Sequence, residues 1–533
     1  MSSHVALNEP PASPDDGDRK SALAGGRRLA ITRTGAVYGV NGLLVRVEVD
    51  VVPRINRNSS TVRMVGLPDA VVRESQQRVQ AALRNGGFVV EPSAITVNLA
   101  PAGVRKEGAG FDLAVAVGIL AATGQASRRR LAETLLLGEL ALDGGLRPVR
   151  GALPIAWEAG ARGFARAVVP RDNAAEAGLV EGLAVHPVRH LREALDLMAG
   201  DSLPAPDPPA PPPARTAPNG VDLAEVRGQP RARRALEIAA AGGHNMLLTG
   251  PPGSGKTLLA SILPDLTPPL SREAAMEVAR IRSAVGQHPG AAFTRPPFRA
   301  PHHTISYAAM AGGGPGPSPG EITLAHRGVL FLDELPEFRR PVLECLRQPL
   351  ESGSIHIGRV RRSLRFPARF QLVGAMNPCP CGHYGDGGRP CQCAPAAVAR
   401  YRSRISGPLL DRLDLHLTVR PVTSTDVLAG TVAESTATVH QRVLAARKLR
   451  EARLRETAGV GWSTVAGVGK VLRDQGTFRS LVSWAMDGLG MSARGVTRAF
   501  RVASTIADLA GSEEIQPPHF EEALQFRAQD TTR

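Results

Sequence analysis

The chain has 533 residues, of which 43% are hydrophobic and 21% are charged. This balance is ordinary for folded globular proteins and excludes a wholly disordered or fibrous chain, and the length predicts two to four domains at about 100–200 residues per domain. Lysine and arginine number 64 against 49 acidic residues, a formal net charge of +15. This surplus predicts a polyanionic partner, either nucleic acid or an acidic membrane surface.

Three features missing from the sequence predict a cytoplasmic protein. No apolar run approaches the roughly 18 residues of a membrane span, so no membrane association through a spanning helix is expected. The first 26 residues are rich in Pro, Asp and Ser and lack the apolar core of a secretory signal. The five cysteines are too few for a disulfide scaffold in a chain of this length.

Composition and periodicity divide the chain into five segments. Residues 1–29 are predicted to be a flexible tail. Residues 30–200 alternate between strand and helix patterns, which indicates an α/β domain. The Pro- and Ala-rich stretch 201–220 is typical of an extended linker. Residues 221–421 again show an α/β pattern, and residues 422–533 show a helical one.

The second α/β segment contains a complete phosphate-binding loop motif, Gly250-Pro-Pro-Gly-Ser-Gly-Lys-Thr257. An apolar strand pattern precedes it and a helical pattern follows it, which is the context in which loop amides converge on phosphate. Lys256 would contact the β- and γ-phosphates of ATP, and Thr257 would ligate Mg²⁺. The predicted ATP-binding residues of this Walker A loop are Gly250, Gly253, Ser254, Gly255, Lys256 and Thr257.

Two further strand patterns end in polar residues. The apolar run 328–332 is followed by Asp333 and Glu334, the Walker B arrangement in which one carboxylate holds Mg²⁺ and the next polarises the attacking water. A third strand pattern ends at Asn377. This asparagine is in place either to position the same water, as sensor 1 does in AAA+ ATPases, or only to form a turn before Pro378.

The alternating segment 354–366 predicts a β-hairpin around Gly358. It carries four arginines, which could follow DNA phosphates without reading base sequence. A hairpin whose charges only face solvent is the alternative. The predicted DNA-binding arginines are Arg359, Arg361, Arg362 and Arg365.

Four of the five cysteines fall within residues 379–393, in two Cys-x-Cys pairs. Four thiolates can complete a tetrahedral zinc site, although this spacing is tighter than in most structural zinc sites. An iron–sulfur site and four reduced thiols are the alternatives, and zinc is favoured because it is the common occupant of such clusters in cytosolic proteins. The predicted zinc ligands are Cys379, Cys381, Cys391 and Cys393.

Longer motifs relate the chain to a known family, and they extend over nearly all of it from Gly35. The similar segments are Pro301-His-His-Thr-Ile-Ser306, the stretch 319–338, Leu409-Leu-Asp-Arg-Leu-Asp-Leu-His416, Val65–Ala70 and Ile95–Pro101. They resemble the YifB/ComM family of bacterial magnesium-chelatase-like AAA+ ATPases. The resemblance implies an AAA+ P-loop ATPase core with a helical C-terminal lid.

The resemblance also implies a homo-oligomeric ring, expected to be a hexamer, with ATP bound between subunits. Arg412 would be the arginine finger that reaches the neighbouring subunit's γ-phosphate, and Arg494 would be the sensor 2 arginine. A fixed guanidinium stabilises charge that develops on the transferred phosphoryl group. The same resemblance implies a DNA motor that promotes branch migration, with single-stranded or branched DNA as its partner.

Residues 30–200 resemble the Lon-protease-like domain of the same family. Active Lon domains use a serine nucleophile and a lysine, but Gly110 occupies the serine position here and residues 145–155 contain no lysine. Peptide hydrolysis then has neither nucleophile nor base. No protease activity is expected.

The motifs predict an ATPase, and the resemblance implies that it is a ring motor acting on DNA, a helicase or branch-migration factor in homologous recombination or natural transformation. One alternative is a magnesium-chelatase-type subunit that inserts metal into a porphyrin, for which the basic charge and the Lon-like domain have no evident use. Another is an ATP-driven protein remodeller. Such proteins usually contact the polypeptide through an aromatic residue in the pore, and this hairpin has its one aromatic residue, Phe366, at its end.

Overall fold

The structure is a computed structural model that describes residues 28–54, 60–104, 106–200, 221–287, 294–314, 318–358, 363–385, 389–423, 426, 433–456 and 476–527. The described residues form two compact units that divide near residue 214, with residues 279–287 and Ser318 belonging to the first unit. The predicted linker and most of the predicted tail lie outside the described residues. So do three of the four hairpin arginines, Arg359, Arg361 and Arg362.

The elements of the first unit, in chain order, are β1 (Arg28–Tyr38), β2 (Asn41–Pro53), β3 (Thr61–Val65), α1 (Ala70–Asn85), β4 (Ser93–Ala100), α2 (Asp112–Ala122), β5 (Thr134–Leu136), β6 (Glu139–Leu140), β7 (Leu146–Arg147), α3 (Ala152–Ala161), β8 (Arg166–Pro170), α4 (Arg171–Ala177), β9 (Ala184–Val188) and α5 (Leu191–Ala199). Seven strands form a mixed sheet in the order β3-β4-β2-β1-β5-β8-β9. Strand β2 is antiparallel to both β1 and β4, whereas β5, β8 and β9 run parallel to one another.

The core of this unit follows from the apolar pattern of its elements. Alternate residues of β2, from Val45 to Val51, are buried on one face of the sheet. Helix α2 is apolar on all sides and is buried over its whole length. Its first residue, Asp112, is fully buried, and the Nε of Arg78 lies 2.8 Å from the Asp112 carboxylate. A buried carboxylate needs such a partner.

Lys106 is also completely buried in the first unit, with 0% of its surface exposed. Its Nζ donates hydrogen bonds to the carbonyl oxygens of Gly66, at 3.1 Å, and of Pro101. Backbone carbonyls thus satisfy the ammonium group inside the fold.

From residue 221 on, the elements are α6 (Pro230–Gly242), β10 (Met246–Thr249), α7 (Lys256–Leu266), α8 (Arg272–Ala284), β11 (Phe298–Arg299), α9 (Tyr307–Ala311), β12 (Gly312–Gly313), β13 (Ser318–Pro319), α10 (Glu321–Leu324), β14 (Val329–Leu332), α11 (Arg340–Glu344), α12 (Arg347–Ser352), β15 (Ser354–Gly358), β16 (Ser363–Pro367), β17 (Gln371–Met376), α13 (Pro395–Arg402), α14 (Gly407–Leu410), β18 (Leu415–Thr418), α15 (Thr436–Glu456), α16 (Gly476–Ser483), α17 (Ala493–Leu509) and α18 (Pro517–Gln525).

The second unit is built on a parallel sheet of five strands in the order β11-β14-β17-β10-β18. Strands β14 and β17 are buried at every residue, as expected for parallel strands covered on both faces. The polar residues that follow β10, β14 and β17 therefore meet at one edge, where the carboxyl ends of the strands lie. This α/β arrangement is consistent with the predicted P-loop core.

The C-terminal helices pack through aromatic side chains. The ring of Phe500 in α17 stacks on that of Phe520 in α18 with 4.3 Å between centroids, and Phe478 of α16 lies 5.8 Å from Phe500. These rings belong to the same core as the apolar residues of β10 and α7. None of the helices in the described residues is long and apolar enough to cross a membrane.

Candidate functional site

The loop between β10 and α7 has the backbone conformation that phosphate binding requires. Gly253 and Gly255 have φ angles of +78° and +86°, in a left-handed region that residues with a Cβ seldom enter. A Cβ on Gly250 would lie 2.4 Å from the carbonyl oxygen of Val419, so this position has no room for a side chain. Such loops turn backbone N–H groups inward and form anion-binding concavities. Ser254 is buried within the loop.

Lys256 begins α7 and directs its ammonium group back into the loop. Its Nζ donates to the carbonyl oxygens of Gly250 at 2.8 Å and Pro251 at 2.9 Å, and to the Oδ1 of Asn377 at 3.2 Å. Burial lowers the pKa of Lys256, while two nearby carboxylates act in the opposite direction. The structure thus brings the end of β17 to the Walker A lysine.

Thr257 and Asp333 also lie together at this edge of the sheet. The Oγ1 of Thr257 donates to the Oδ2 of Asp333 at 2.8 Å, and the other carboxylate oxygen accepts a hydrogen bond from the Glu334 amide at 2.9 Å. Mg²⁺ prefers oxygen ligands and commonly takes only one or two from the protein. The fold therefore places together two oxygen donors, 76 residues apart in the chain, that fit a magnesium site.

Glu334 stands on a left-handed backbone, with φ at +52°, and 54% of its side chain is exposed. Its Oε2 lies 3.1 Å from the Nδ1 of His303. The His303 ring meets Phe338 edge-on, with centroids 6.4 Å apart, and lies 4.1 Å from the His302 ring. His303 was not among the predicted site residues, because its only signal in the sequence is its place in the motif after Pro301.

Arg412 contacts elements other than the phosphate-binding loop. Its guanidinium donates to the carbonyl oxygen of Pro408 at 2.5 Å and pairs with the carboxylate of Glu351. The residue is 8% exposed. Burial lowers the pKa of Arg412, and three positive neighbours lower it further: Arg347, Arg498 and Arg494. The two arginines predicted as finger and sensor 2 thus share one basic cluster.

Asp414 connects this segment to the C-terminal helices. It is fully buried, its Oδ1 accepts a hydrogen bond from Arg498 of α17 at 2.7 Å, and its Oδ2 accepts one from the Asn245 amide at 3.2 Å. Although burial alone would raise the pKa of Asp414, contact with His244 and the charges of Arg501 and Arg498 hold it well below its usual value. An ionised Asp414, the residue directly before β18, thus connects this strand to α17 through its contact with Arg498.

The four clustered cysteines converge, and all four sulfur atoms lie within 4.8 Å of one another. The Sγ of Cys379 is 3.3 Å from that of Cys381 and 3.6 Å from that of Cys391. A zinc–sulfur distance of about 2.3 Å places tetrahedral sulfurs roughly 3.8 Å apart, which is close to this spacing. Hydrogen bonds from the amides of His383 and Gln392 lower the pKa of the Cys381 thiol to about 6. The donor set fits zinc.

Strands β15 and β16 form an antiparallel hairpin in which His356 pairs with Arg365. Arg365 is exposed. The other three arginines predicted to bind DNA lie in the part of the chain that the structure does not describe, as stated above. The structure thus shows that Arg365 is exposed, and DNA binding at this hairpin stays a prediction.

Gly110, which the resemblance aligns with the serine of active Lon domains, lies in the first unit. Its carbonyl oxygen accepts a hydrogen bond from the Gly138 amide at 3.3 Å, and the nearest atom to a Cβ placed on it would belong to Val149, at 3.7 Å. A Cβ would thus fit at this position, and the absence of protease activity stays a prediction.

Two relatives span nearly the whole chain. A YifB protein of Escherichia coli K12, described as uncharacterised, is 43% identical over 505 residues, which cover 94% of this chain and 97% of the relative. The competence protein ComM of Haemophilus influenzae is 42% identical over 506 residues, with the same coverage. The chain belongs to the YifB/ComM family.

Three family models relate this YifB/ComM chain to magnesium chelatase. Residues 222–427 match the magnesium chelatase subunit ChlI, residues 47–173 match a second model of subunit ChlI, and residues 433–527 match its C-terminal region. A magnesium-chelatase 38 kDa subunit of Acidiphilium rubrum is 31% identical over 179 residues, 29% of this chain and 51% of the relative. The chain is therefore magnesium-chelatase-like, and the Lon-like nature of residues 30–200 stays a prediction.

Proposed function

We propose that the protein is an ATP-hydrolysing ring motor that acts on DNA. One observation carries the ATPase activity: the Walker A and Walker B residues converge at one sheet edge, where the Oγ1 of Thr257 lies 2.8 Å from the Oδ2 of Asp333. Membership of a magnesium-chelatase-like family supports the same activity. Gly250, Gly253, Ser254, Gly255 and Lys256 supply the phosphate-binding loop.

Each residue has a role that follows from its contacts. Lys256 exchanges the neutral carbonyl oxygens it now contacts for the charged oxygens of the β- and γ-phosphates, which accept stronger hydrogen bonds. Thr257 and Asp333 hold Mg²⁺, which when bound neutralises charge on the phosphoryl oxygens. Glu334 accepts a hydrogen bond from the attacking water and orients it. Asn377, in contact with Lys256, helps to position the same phosphate and water.

A ring is proposed because members of the AAA+ family often form one, and the basic cluster around Arg412 is compatible with it. Like charges that lie close together favour the approach of an anion, and Arg412 and Arg494 belong to one such group. In a homo-oligomeric ring, expected to be a hexamer, the neighbouring subunit's γ-phosphate is that anion. Arg412 would then exchange its pairing with Glu351 for the phosphate and stabilise the charge of the transition state.

DNA is proposed as the substrate on three grounds. The formal charge of +15 favours a polyanion. Arg365 is exposed on a hairpin whose sequence adds Arg359, Arg361 and Arg362. A relative covered over nearly its full length is named a competence protein. The proposed activity is that of a helicase or branch-migration factor on single-stranded or branched DNA, in recombination or natural transformation, without sequence-specific contacts.

A second candidate is a magnesium-chelatase-type subunit, because all three matching family models describe that enzyme. Both candidate functions require the ATP site, so ATPase activity alone does not distinguish them. Stimulation of ATP hydrolysis by DNA distinguishes them, because it is expected only for the DNA motor. A structural zinc ion at Cys379, Cys381, Cys391 and Cys393 is proposed for either function.

The test is ATP hydrolysis by the purified protein, alone and with single-stranded, duplex or four-way-junction DNA, with Lys256→Ala as the inactive control. We expect stimulation by single-stranded or junction DNA that is lost in Lys256→Ala. Arg365→Gln should weaken the stimulation, and Arg400→Gln, which removes an exposed arginine of α13 instead, should leave it unchanged. If none of the DNAs changes the rate of ATP hydrolysis, the result would contradict a DNA motor and favour a chelatase subunit or an ATP-driven protein remodeller.

A further inference from the structure

The cysteine cluster lies directly against the nucleotide site. Residues 379–393 leave the sheet two residues after Asn377, whose Oδ1 accepts a hydrogen bond from the Walker A lysine. The next residue, Ala394, directly precedes α13. The Nε of Arg402, in the last turn of α13, donates to the carbonyl oxygen of Pro378 at 3.2 Å and so brings the helix back to the start of the segment.

Gly382 makes the direct connection to the phosphate-binding loop. Its φ is +86°, and a Cβ placed on it would lie 2.6 Å from the Cδ of Pro252, which belongs to the Walker A motif. Gly382 is next to Cys381, and its amide donates to the carbonyl oxygen of Cys379 at 3.0 Å. The turn that carries the first two sulfurs is thus the turn that packs on the phosphate-binding loop.

Four unligated thiols would hold this turn only weakly, since a thiol is a poor hydrogen-bond donor and acceptor. A metal that binds all four sulfurs links the two Cys-x-Cys pairs and fixes the backbone that carries them. The amide of Tyr384 already donates to the Sγ of Cys379 at 3.3 Å, which is favourable for a thiolate ligand. Fixing the turn at Gly382 also fixes the position of Pro252.

We propose that a zinc ion on the four cysteines holds the phosphate-binding loop in its nucleotide-binding conformation, so that zinc occupancy sets the affinity for ATP. The site is then an allosteric structural centre, because zinc and nucleotide each favour the conformation that binds the other. This inference rests on the proposed nucleotide site at Lys256. The inference goes beyond the proposed function because it makes the affinity for ATP depend on a metal site outside the phosphate-binding loop.

The first experiment measures metal content. Elemental analysis of protein purified without added zinc should give one zinc per chain. The double variant Cys391→Ser/Cys393→Ser should contain none. Cys345→Ser should keep its zinc, because Cys345 lies outside the cluster and its Sγ instead donates to the carbonyl oxygen of Val342. A stoichiometry near zero, or iron with sulfide in place of zinc, would overturn the proposal.

The second experiment tests the contact between Gly382 and Pro252 while the metal site stays intact. Gly382→Ala and Gly385→Ala both place a Cβ on a left-handed backbone, at φ of +86° and +75°, but only the first meets Pro252, and nothing lies within 4 Å of the second. With a fluorescent ATP analogue, we expect about tenfold weaker binding in Gly382→Ala and little change in Gly385→Ala. Both should retain one zinc, which shows that the cluster has folded. Equal affinities in the two variants would overturn the coupling.

The third experiment removes the metal itself. Protein depleted of zinc with a chelator should bind the analogue about tenfold more weakly, and one equivalent of Zn²⁺ should restore the affinity. Unchanged affinity after depletion would overturn the inference while leaving the proposed ATPase intact. A zinc-loaded protein that binds no ATP analogue at all would instead overturn the proposed function, and the metal measurement would still be valid.

Discussion

The Nδ1 of His303 lies 3.1 Å from the Oε2 of Glu334. Glu334 is the carboxylate proposed to orient the attacking water, and more than half of its side chain is exposed. A carboxylate held by an imidazole has fewer accessible rotamers, so less entropy is lost when it positions a water molecule. We therefore expect His303 to act as a positioning residue for Glu334.

We expect His303→Ala to lower the kcat for ATP about three- to tenfold and to leave the KM for ATP nearly unchanged. The reason is that the phosphate contacts of Lys256 do not involve the imidazole. His303→Gln, which keeps a polar side chain beside the carboxylate, should recover part of the rate. Steady-state kinetics of the two variants provide the measurement. A rate that rises on removal of the imidazole would show that His303 restrains Glu334 instead.

Thr257→Val should raise the Mg²⁺ concentration needed for half-maximal ATP hydrolysis. Valine has nearly the shape of threonine but lacks the hydroxyl that now donates to Asp333 at 2.8 Å. Thr257→Ser keeps the hydroxyl and serves as the matched control. We expect at least a tenfold difference between the two in a magnesium titration of activity. The same magnesium dependence in both variants would contradict the assignment of Thr257 as a ligand.

Arg412→Ala should bind ATP but hydrolyse it at least about a hundredfold more slowly, because an arginine finger acts mainly on the transition state. If the guanidinium serves the neighbouring subunit, a mixture of inactive Arg412→Ala and inactive Lys256→Ala chains should recover activity. Some interfaces then combine an intact loop with an intact finger. A mixture as inactive as its two components would show that Arg412 acts elsewhere.

The stability of the protein should fall below about pH 6.5 because of His326. Its Nδ1 accepts a hydrogen bond from the Arg369 amide at 3.0 Å, and its Nε2 lies 3.0 Å from the Oε2 of Glu277. Burial lowers the pKa of His326, although the contact with Glu277 opposes this. The unfolded chain therefore takes up a proton near pH 6.5 that the folded chain does not. The free energy of unfolding then decreases by up to about 1.4 kcal/mol per pH unit.

Urea unfolding of the wild type and His326→Gln between pH 7.5 and 5.5 tests this pH dependence. Glutamine cannot titrate, so the unfolding midpoint of the variant should fall less with decreasing pH. The variant should be less stable at pH 7.5, where the neutral histidine makes both of its contacts. An equal decrease in the two proteins would assign the pH dependence to other groups.

Short motifs allowed the nucleotide residues to be predicted from sequence, because their local spacing determines their geometry. The glycines of the Walker A loop specify its backbone, and Thr257 and Asp333 meet because they follow β10 and β14, the two strands on either side of β17 in one parallel sheet. The pairing of β15 with β16, in which Gly358 ends β15, and the convergence of Cys379 with Cys391 likewise depend on residues close in the chain.

Contacts that join distant segments could not be predicted in this way. The pairing of Arg412 with Glu351 spans 61 residues, and that of Arg498 with Asp414 spans 84. Their register depends on how helices pack on the sheet, which no local pattern encodes. The contact of Gly382 with Pro252 was missed for the same reason, although each lies in a motif that the sequence did reveal.

Lysine is so scarce in this chain that its ε-amino groups can serve as a chemical reporter. There are five among 533 residues. Lys106 is completely buried in the first unit, whereas Lys448 is exposed on α15. Lys256 stands in the phosphate-binding loop with a pKa lowered by burial, so a larger share of it is the nucleophilic free amine at neutral pH. Among the lysines that the structure describes, Lys256 alone stands at the nucleotide site, so the extent of its modification by an acylating ATP analogue would report nucleotide occupancy.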